Sequence, residues 1–77
     1  MINLKALILN NNQITYIENL PVHLNVLILS NNQIGEITNV EKLKELNKLN
    51  LSHNAIRVFL HFFLDIIIII EGNKGGF

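Results

Sequence analysis

Three histidines, His23, His53 and His61, have the widest chemical repertoire in this chain, as acids, bases or metal ligands. They fall in different parts of the sequence, and no pair has the His-x-x-x-His spacing that puts two ring nitrogens on one helix face. No cysteine is present to complete a metal site or to form a disulfide. No metal and no cofactor is therefore expected. Ser52 stands beside His53, but a nucleophile needs a base that a third group orients, and adjacency in sequence does not supply one. Glu18, Glu36, Glu41, Glu45, Asp65 and Glu71 are dispersed, with no evident acid–base pair. The run Gly72-Asn73-Lys74-Gly75-Gly76 faintly suggests a phosphate-cradling loop. It lacks the spacing of a P-loop and the following helix that would face an anion, so it reads as a flexible tail. The match of Asn50-Leu51-Ser52 to a glycosylation sequon lies within an expected strand and carries little weight. No residue is expected to be catalytic, and the chain reads as a non-enzyme.

Composition narrows the partners. Hydrophobic residues are 49% of the 77 and charged residues 16%, which is a chain that must bury apolar faces. Six basic and six acidic residues cancel, so the basic excess of a nucleic-acid binder is missing and none is expected as a partner. The same zero charge removes electrostatic protection against self-association. The apolar stretch from Val58 to Ile70 carries His61 and Asp65 and is shorter than the span of about 20 residues that crosses a bilayer, so no membrane role is expected. The opening apolar run holds a single lysine and ends in Asn10-Asn11-Asn12, unlike a secretory signal. Together with the lack of cysteine this favours an intracellular setting.

A repeat positions all of these residues. Leu4-x-x-Leu7-x-Leu9-x-x-Asn12-x-Ile14-x-x-Ile17-x-x-Leu20 is followed by Leu24-x-x-Leu27-x-Leu29-x-x-Asn32-x-Ile34-x-x-Ile37-x-x-Val40. A third unit reads Leu46-x-x-Leu49-x-Leu51-x-x-Asn54-x-Ile56-x-x-Phe59. The asparagines step by 20 residues (32 − 12) and then by 22 (54 − 32). Such a period means that each unit buries its leucines against its neighbours. Leu7-x-Leu9, Leu27-x-Leu29 and Leu49-x-Leu51 alternate with period two, which predicts short parallel strands with one buried face. Val40, Leu43 and Leu46 form an i, i+3, i+6 stripe fit for a short helical turn on the opposite side, with Glu41, Lys42, Lys44 and Glu45 facing water.

These residues are similar to the consensus of the leucine-rich repeat family, over about residues 1 to 60. The 22-residue step resembles the short repeats of the regulatory subunit of protein phosphatase 1, and Leu20-Pro21-x-x-Leu24 resembles bacterial effector repeats; the choice between them stays open. The resemblance implies an α/β leucine-rich repeat solenoid, with short parallel strands on the concave side and loops and short helical turns on the convex side. It also implies that Asn12, Asn32 and Asn54 form a structural ladder, each amide donating to one turn's carbonyl and accepting from another turn's N–H.

Residues 1–60 divide into three repeats, 1–23, 24–45 and 46–60, and 61–77 form a degenerate fourth repeat or a terminal tail. After Phe59 the consensus fades: Arg57, His61 and Asp65 make a polar stripe at helical spacing, and Ile66 to Ile70 favour a strand. A shortened fourth unit can be drawn as Ile68-x-Ile70-x-x-Asn73, with Asp65 and Gly75 at positions that should be apolar. Both ends lack the polar capping unit that solenoids need. The chain therefore reads as a piece of a longer repeat protein or of a truncated frame, or as one that associates through its ends.

With the leucines inward, the alternate residues face the concave surface: Ala6, Ile8 and Asn10; Val26, Ile28 and Ser30; Lys48, Asn50 and Ser52. The resemblance implies that a protein partner is held there. A non-catalytic interaction module or scaffold is the leading expectation; a fragment without independent function, or a phosphatase-regulatory type of subunit, is the alternative.

Overall fold

The computed structural model describes residues 3–57 and 67–75. Its strands are β1 (Ala6–Ile8), β2 (Val26–Ile28), β3 (Lys48–Asn50) and β4 (Ile67–Ile69), in one sheet of order β1-β2-β3-β4. All neighbours are parallel, in the register Leu7, Leu27, Leu49, Ile68. Each strand opens one turn of a solenoid, called here coils 1 to 4.

The strands stay at three residues because only a short stretch of each coil runs extended before the chain must turn away. That turn is made at a left-handed residue in every coil: Asn11, Asn31, His53 and Gly72, with φ of 61°, 57°, 56° and 76°. Asparagine tolerates this region better than other residues with a side chain, and glycine adopts it freely. The Asn-Asn doublets are thereby explained. At Gly72 the glycine is required twice over, since a Cβ would also collide with the His53 imidazole stacked beside it. A second left-handed pair, Asn19 (φ 55°) and Asn39 (φ 63°), bends the far side of coils 1 and 2. Asn39 also donates from Nδ2 to Ile17 O, 2.7 Å away, and so ties those two coils together.

The core is the inside of the stack. Leu24, Leu27, Ile34, Leu49, Leu51 and Ile56 are fully enclosed, while Leu7, Leu9, Ile14 and Ile70 pack on that cluster with one side open. At these positions burial is complete where a coil has neighbours on both sides, and Ile17 of coil 1 is enclosed as well, at 2% exposure. Val40, Leu43 and Leu46 are buried as their spacing requires, but they do not sit on a helix. Leu43 N–H donates to Val40 O and Leu46 N–H to Leu43 O, which is two linked turns. A segment this short cannot repay helix nucleation, and at its end Asn47 N–H is already bonded to Asn25 O of coil 2. No helix occurs among the described residues, so none is long and apolar enough to cross a membrane. The helical stripe expected through Arg57, His61 and Asp65 lies, after Arg57, outside the described residues.

The glycine-rich segment is not a loose tail over its described part. Asn73 donates from Nδ2 to Leu51 O and Ile70 O and accepts Ile56 N–H at Oδ1, and Lys74 N–H donates to Ile56 O. Gly72 is present because the turn needs a left-handed residue, which is a backbone role and not a phosphate-binding one.

Candidate functional site

Two surfaces carry the residues singled out above: the strand ends where the asparagines turn inward, and the sheet face turned away from the core. In the first, Asn32 donates from Nδ2 to Leu29 O and Ser30 O of its own coil and to Leu9 O of the preceding one, at 3.0–3.2 Å. Its Oδ1 accepts Ile14 N–H at 3.0 Å. Asn54 repeats the pattern one coil on, with Leu51 O, Ser52 O, Leu29 O and Ile34 N–H. Asn73 continues it in coil 4. Asn12 keeps only the bonds to its own coil, to Leu9 O and Asn10 O. Among the described residues no buried side-chain polar atom lacks a partner. Asn32, Asn54 and Asn73 thus spend their amides on closing the backbone of the solenoid, which is a structural role.

The outward sheet face is built in rows by the strand register. Ala6, Val26, Lys48 and Ile67 make one row; Ile8, Ile28, Asn50 and Ile69 make the next. Ile8 is 63% exposed and Ile67 64%, although both are large and aliphatic. Ala6, Asn10 and Lys48 are exposed; Val26, Ile28, Asn50 and Ile69 are half-buried between their neighbours. Ser30 and Ser52, at the third row, are buried at 8% and 6% exposure, so they underlie the turn rather than project from it. The Ser52 hydroxyl and its N–H both donate to Asn50 Oδ1, at 2.8 and 3.0 Å, which holds that amide in place on the face. Ile67 and Ile69 were legible as members of these rows once the fourth unit is aligned on Asn73, but strand alternation in the first three repeats does not reach them.

Among the described residues there is no group of three or more His, Asp or Glu that could hold a metal. Ser52 faces the Asn50 amide, with no hydrogen bond to His53. A cleft of about 220 Å3 lies among Leu9, Ile14, Tyr16, Ile17 and Leu20 of coil 1 and Leu29 of coil 2, lined mainly by apolar groups.

One polar cluster escaped the sequence reading. Glu45 binds His23 Nδ1 through Oε2, and Lys5 Nζ lies 3.4 Å from its Oε1, so the segments that lead into β1, β2 and β3 are bridged. The His23 hydrogen bond, and then that from Lys5, hold the Glu45 carboxyl below its ordinary pKa. All three side chains are about half exposed, so solvent and salt screen the cluster and it adds little to stability. No local signal marks it; only the 22-residue offset between His23 and Glu45, one repeat apart, places the two together.

A family model described as leucine-rich repeat matches residues 21–36. That span holds β2 (Val26–Ile28), the buried Leu24, Leu27, Leu29 and Ile34, and the ladder amide of Asn32. Over that span the chain carries a leucine-rich repeat. No curated protein and no solved structure matches it. Leucine-rich repeats generally serve as non-enzymatic interaction folds. The leucine-rich repeat assignment agrees with four parallel strands stacked in sequence order, which is what a one-dimensional array of coils gives.

Proposed function

We propose that the chain is a non-catalytic interaction module that holds a protein partner on the outward face of the sheet. The observation that carries this reading is the pair of adjacent rows, Ala6-Val26-Lys48-Ile67 and Ile8-Ile28-Asn50-Ile69, which put aliphatic side chains side by side in solvent. Contiguous apolar surface on a rigid sheet is the kind of patch that marks an interaction site. Ala6, Ile8, Val26 and Ile28 on β1 and β2 supply one apolar block and Ile67 and Ile69 on β4 a second, with Lys48 and Asn50 of β3 between them and Asn10 at the margin. Ser30 and Ser52 support the face from beneath.

Ile8→Asp tests the reading, because Ile8 is already largely exposed and the change leaves the core untouched. Partner proteins retained by the tagged chain are identified by mass spectrometry and their affinities measured for the parent, for Ile8→Asp and for Glu41→Lys on the opposite side. Placing a charge at the centre of an interface removes about 2 kcal/mol or more, roughly a 30-fold loss. The expected result is that loss for Ile8→Asp with an unchanged circular dichroism spectrum, and no loss for Glu41→Lys. Affinity lost in Glu41→Lys and kept in Ile8→Asp would move the binding face to the other side of the solenoid.

A further inference from the structure

On the outward face the polar side chains of β3 are hydrogen-bond donors set between aliphatic neighbours. Lys48 and Asn50 stand two residues apart on this strand, so both project outward, in adjacent rows. Lys48 is exposed, and among the described residues no carboxylate pairs with it. Asn50 is fixed in orientation. Its Oδ1 accepts both the N–H and the hydroxyl of Ser52, at 3.0 and 2.8 Å. A backbone N–H can only donate, so the oxygen is committed to Ser52 and the Nδ2 protons are left for another acceptor. Among the described residues none takes them. Along each row the order is aliphatic, donor, aliphatic: Val26, Lys48, Ile67 and then Ile28, Asn50, Ile69. Glu71 is exposed and stands in coil 4 where Ser52 stands in coil 3, since His53 N–H bonds to Glu71 O as Asn31 N–H does to Ser52 O. Its negative charge lies beyond the Asn50 row and biases an incoming anion toward Lys48.

We propose that the partner is held through a carboxylate: an extended protein segment lies along the rows, with one Asp or Glu on Lys48 Nζ and Asn50 Nδ2 and aliphatic residues on either side of it. This rests on the outward face being the binding surface. Charge complementarity selects the acid, because a neutral or basic residue would cover the Lys48 and Asn50 donors and leave them unpaired. The aliphatic flanks shield the contact from water, which strengthens a charge-assisted hydrogen bond. Strand spacing sets the pattern of the segment. The midpoint of β1 and β2 lies about 7 Å to one side of β3, and β4 about 5 Å to the other. Side chains on one face of an extended segment recur every 6.8 Å or so, roughly the same interval. The acid therefore has an aliphatic residue two positions before it and another two positions after it.

The test is selection of a random peptide library displayed on phage against the parent chain, Lys48→Glu and Ile8→Asp, each with an unchanged circular dichroism spectrum. The parent is expected to enrich Asp or Glu with Val, Ile or Leu two positions away on both sides. Lys48→Glu is expected to enrich Lys or Arg in place of the acid. A second arm reads the contact without reversing a charge. For one enriched peptide, replacing its acid by the amide is expected to weaken binding to the parent about 10-fold, and to leave binding to Lys48→Gln nearly unchanged. Peptides enriched by the parent with no acidic preference, yet lost in Ile8→Asp, would overturn the carboxylate while leaving the binding face in place. Peptides held equally by the parent, Lys48→Glu and Ile8→Asp would overturn both. No enrichment by the parent, or a dimer of the chain alone that Ile8→Asp dissociates, would mean that the face takes no extended segment or takes a second copy, and either result overturns the proposal.

Discussion

Replacing Asn54 by alanine is expected to cost the chain most of its stability. The amide donates to Leu29 O, Leu51 O and Ser52 O and accepts Ile34 N–H, and all of these bonds are buried. Alanine offers neither donor nor acceptor, and the pocket is closed to water. Ile34 N–H is left unpaired at a cost of about 1–3 kcal/mol. Leu29 O, Leu51 O and Ser52 O keep bonds from Asn32 Nδ2, Asn73 Nδ2 and Asn31 N–H and lose about 0.5–1.5 kcal/mol each, so the change costs roughly 3 kcal/mol or more. That is a large fraction of the 5–15 kcal/mol typical of whole domains, and a chain this small sits toward the low end. Asn12→Ala is the internal control. Its amide bonds only to carbonyls of its own exposed coil, and the expected loss is under about 1 kcal/mol. Asn54→Asp separates the two functions of the amide. It keeps the acceptor for Ile34 N–H but turns a carboxylate toward three carbonyl oxygens, so it should be no better tolerated than alanine. Urea unfolding followed by far-ultraviolet circular dichroism checks all three. Equal losses at Asn12 and Asn54 would mean that the amides do not join the coils.

Leu49→Ala is the second large effect. Leu49 is the central residue of β3, has no exposed surface and is packed between coils 2 and 4. Truncation removes its transfer free energy and leaves a cavity that two flanking coils, pinned by their ladder bonds, cannot close; such changes cost about 2–5 kcal/mol. Leu7 occupies the same position in coil 1 but has a coil on one side only. Leu7→Ala should therefore cost clearly less, and the same unfolding series measures the ratio. A loss at Leu7 as large as at Leu49 would contradict the one-sided packing of coil 1.

Much of this arrangement is legible in the amino-acid sequence because a repeat reports the same physical requirement several times. The leucine alternation gives the strand faces, and the recurring asparagine marks the turn. The direction of the ladder was less accessible: spacing shows that an amide recurs at 12, 32 and 54, and only the coordinates show that its Oδ1 reaches back to the preceding coil. The doublets Asn11-Asn12 and Asn31-Asn32 already contained the signal for a left-handed residue before each ladder amide, and alignment puts His53 and Gly72 at the same place. The stripe Val40, Leu43, Leu46 read as a helical turn because burial of every third residue looks alike in a helix and in linked turns. Ser30 and Ser52 read as outward by alternation, but the strands end before them and the left-handed turn draws them under. His23 with Glu45 depends on contacts between coils, which no local window contains.

The joining of four coils by a ladder of inward amides, which lets them present one continuous outward sheet, is tested most directly by hydrogen exchange of individual amides in dilute solution. Ile14, Ile34 and Ile56 N–H lie outside every strand, yet each donates to an asparagine Oδ1 of the following coil. The predicted result is strong protection of Ile34 and Ile56, matching Leu29 and Leu51 N–H, with rapid exchange at Ala6 on the open edge. Rapid exchange at Ile34 and Ile56, with protection confined to the strands, would contradict the ladder and the stacked sheet that depends on it.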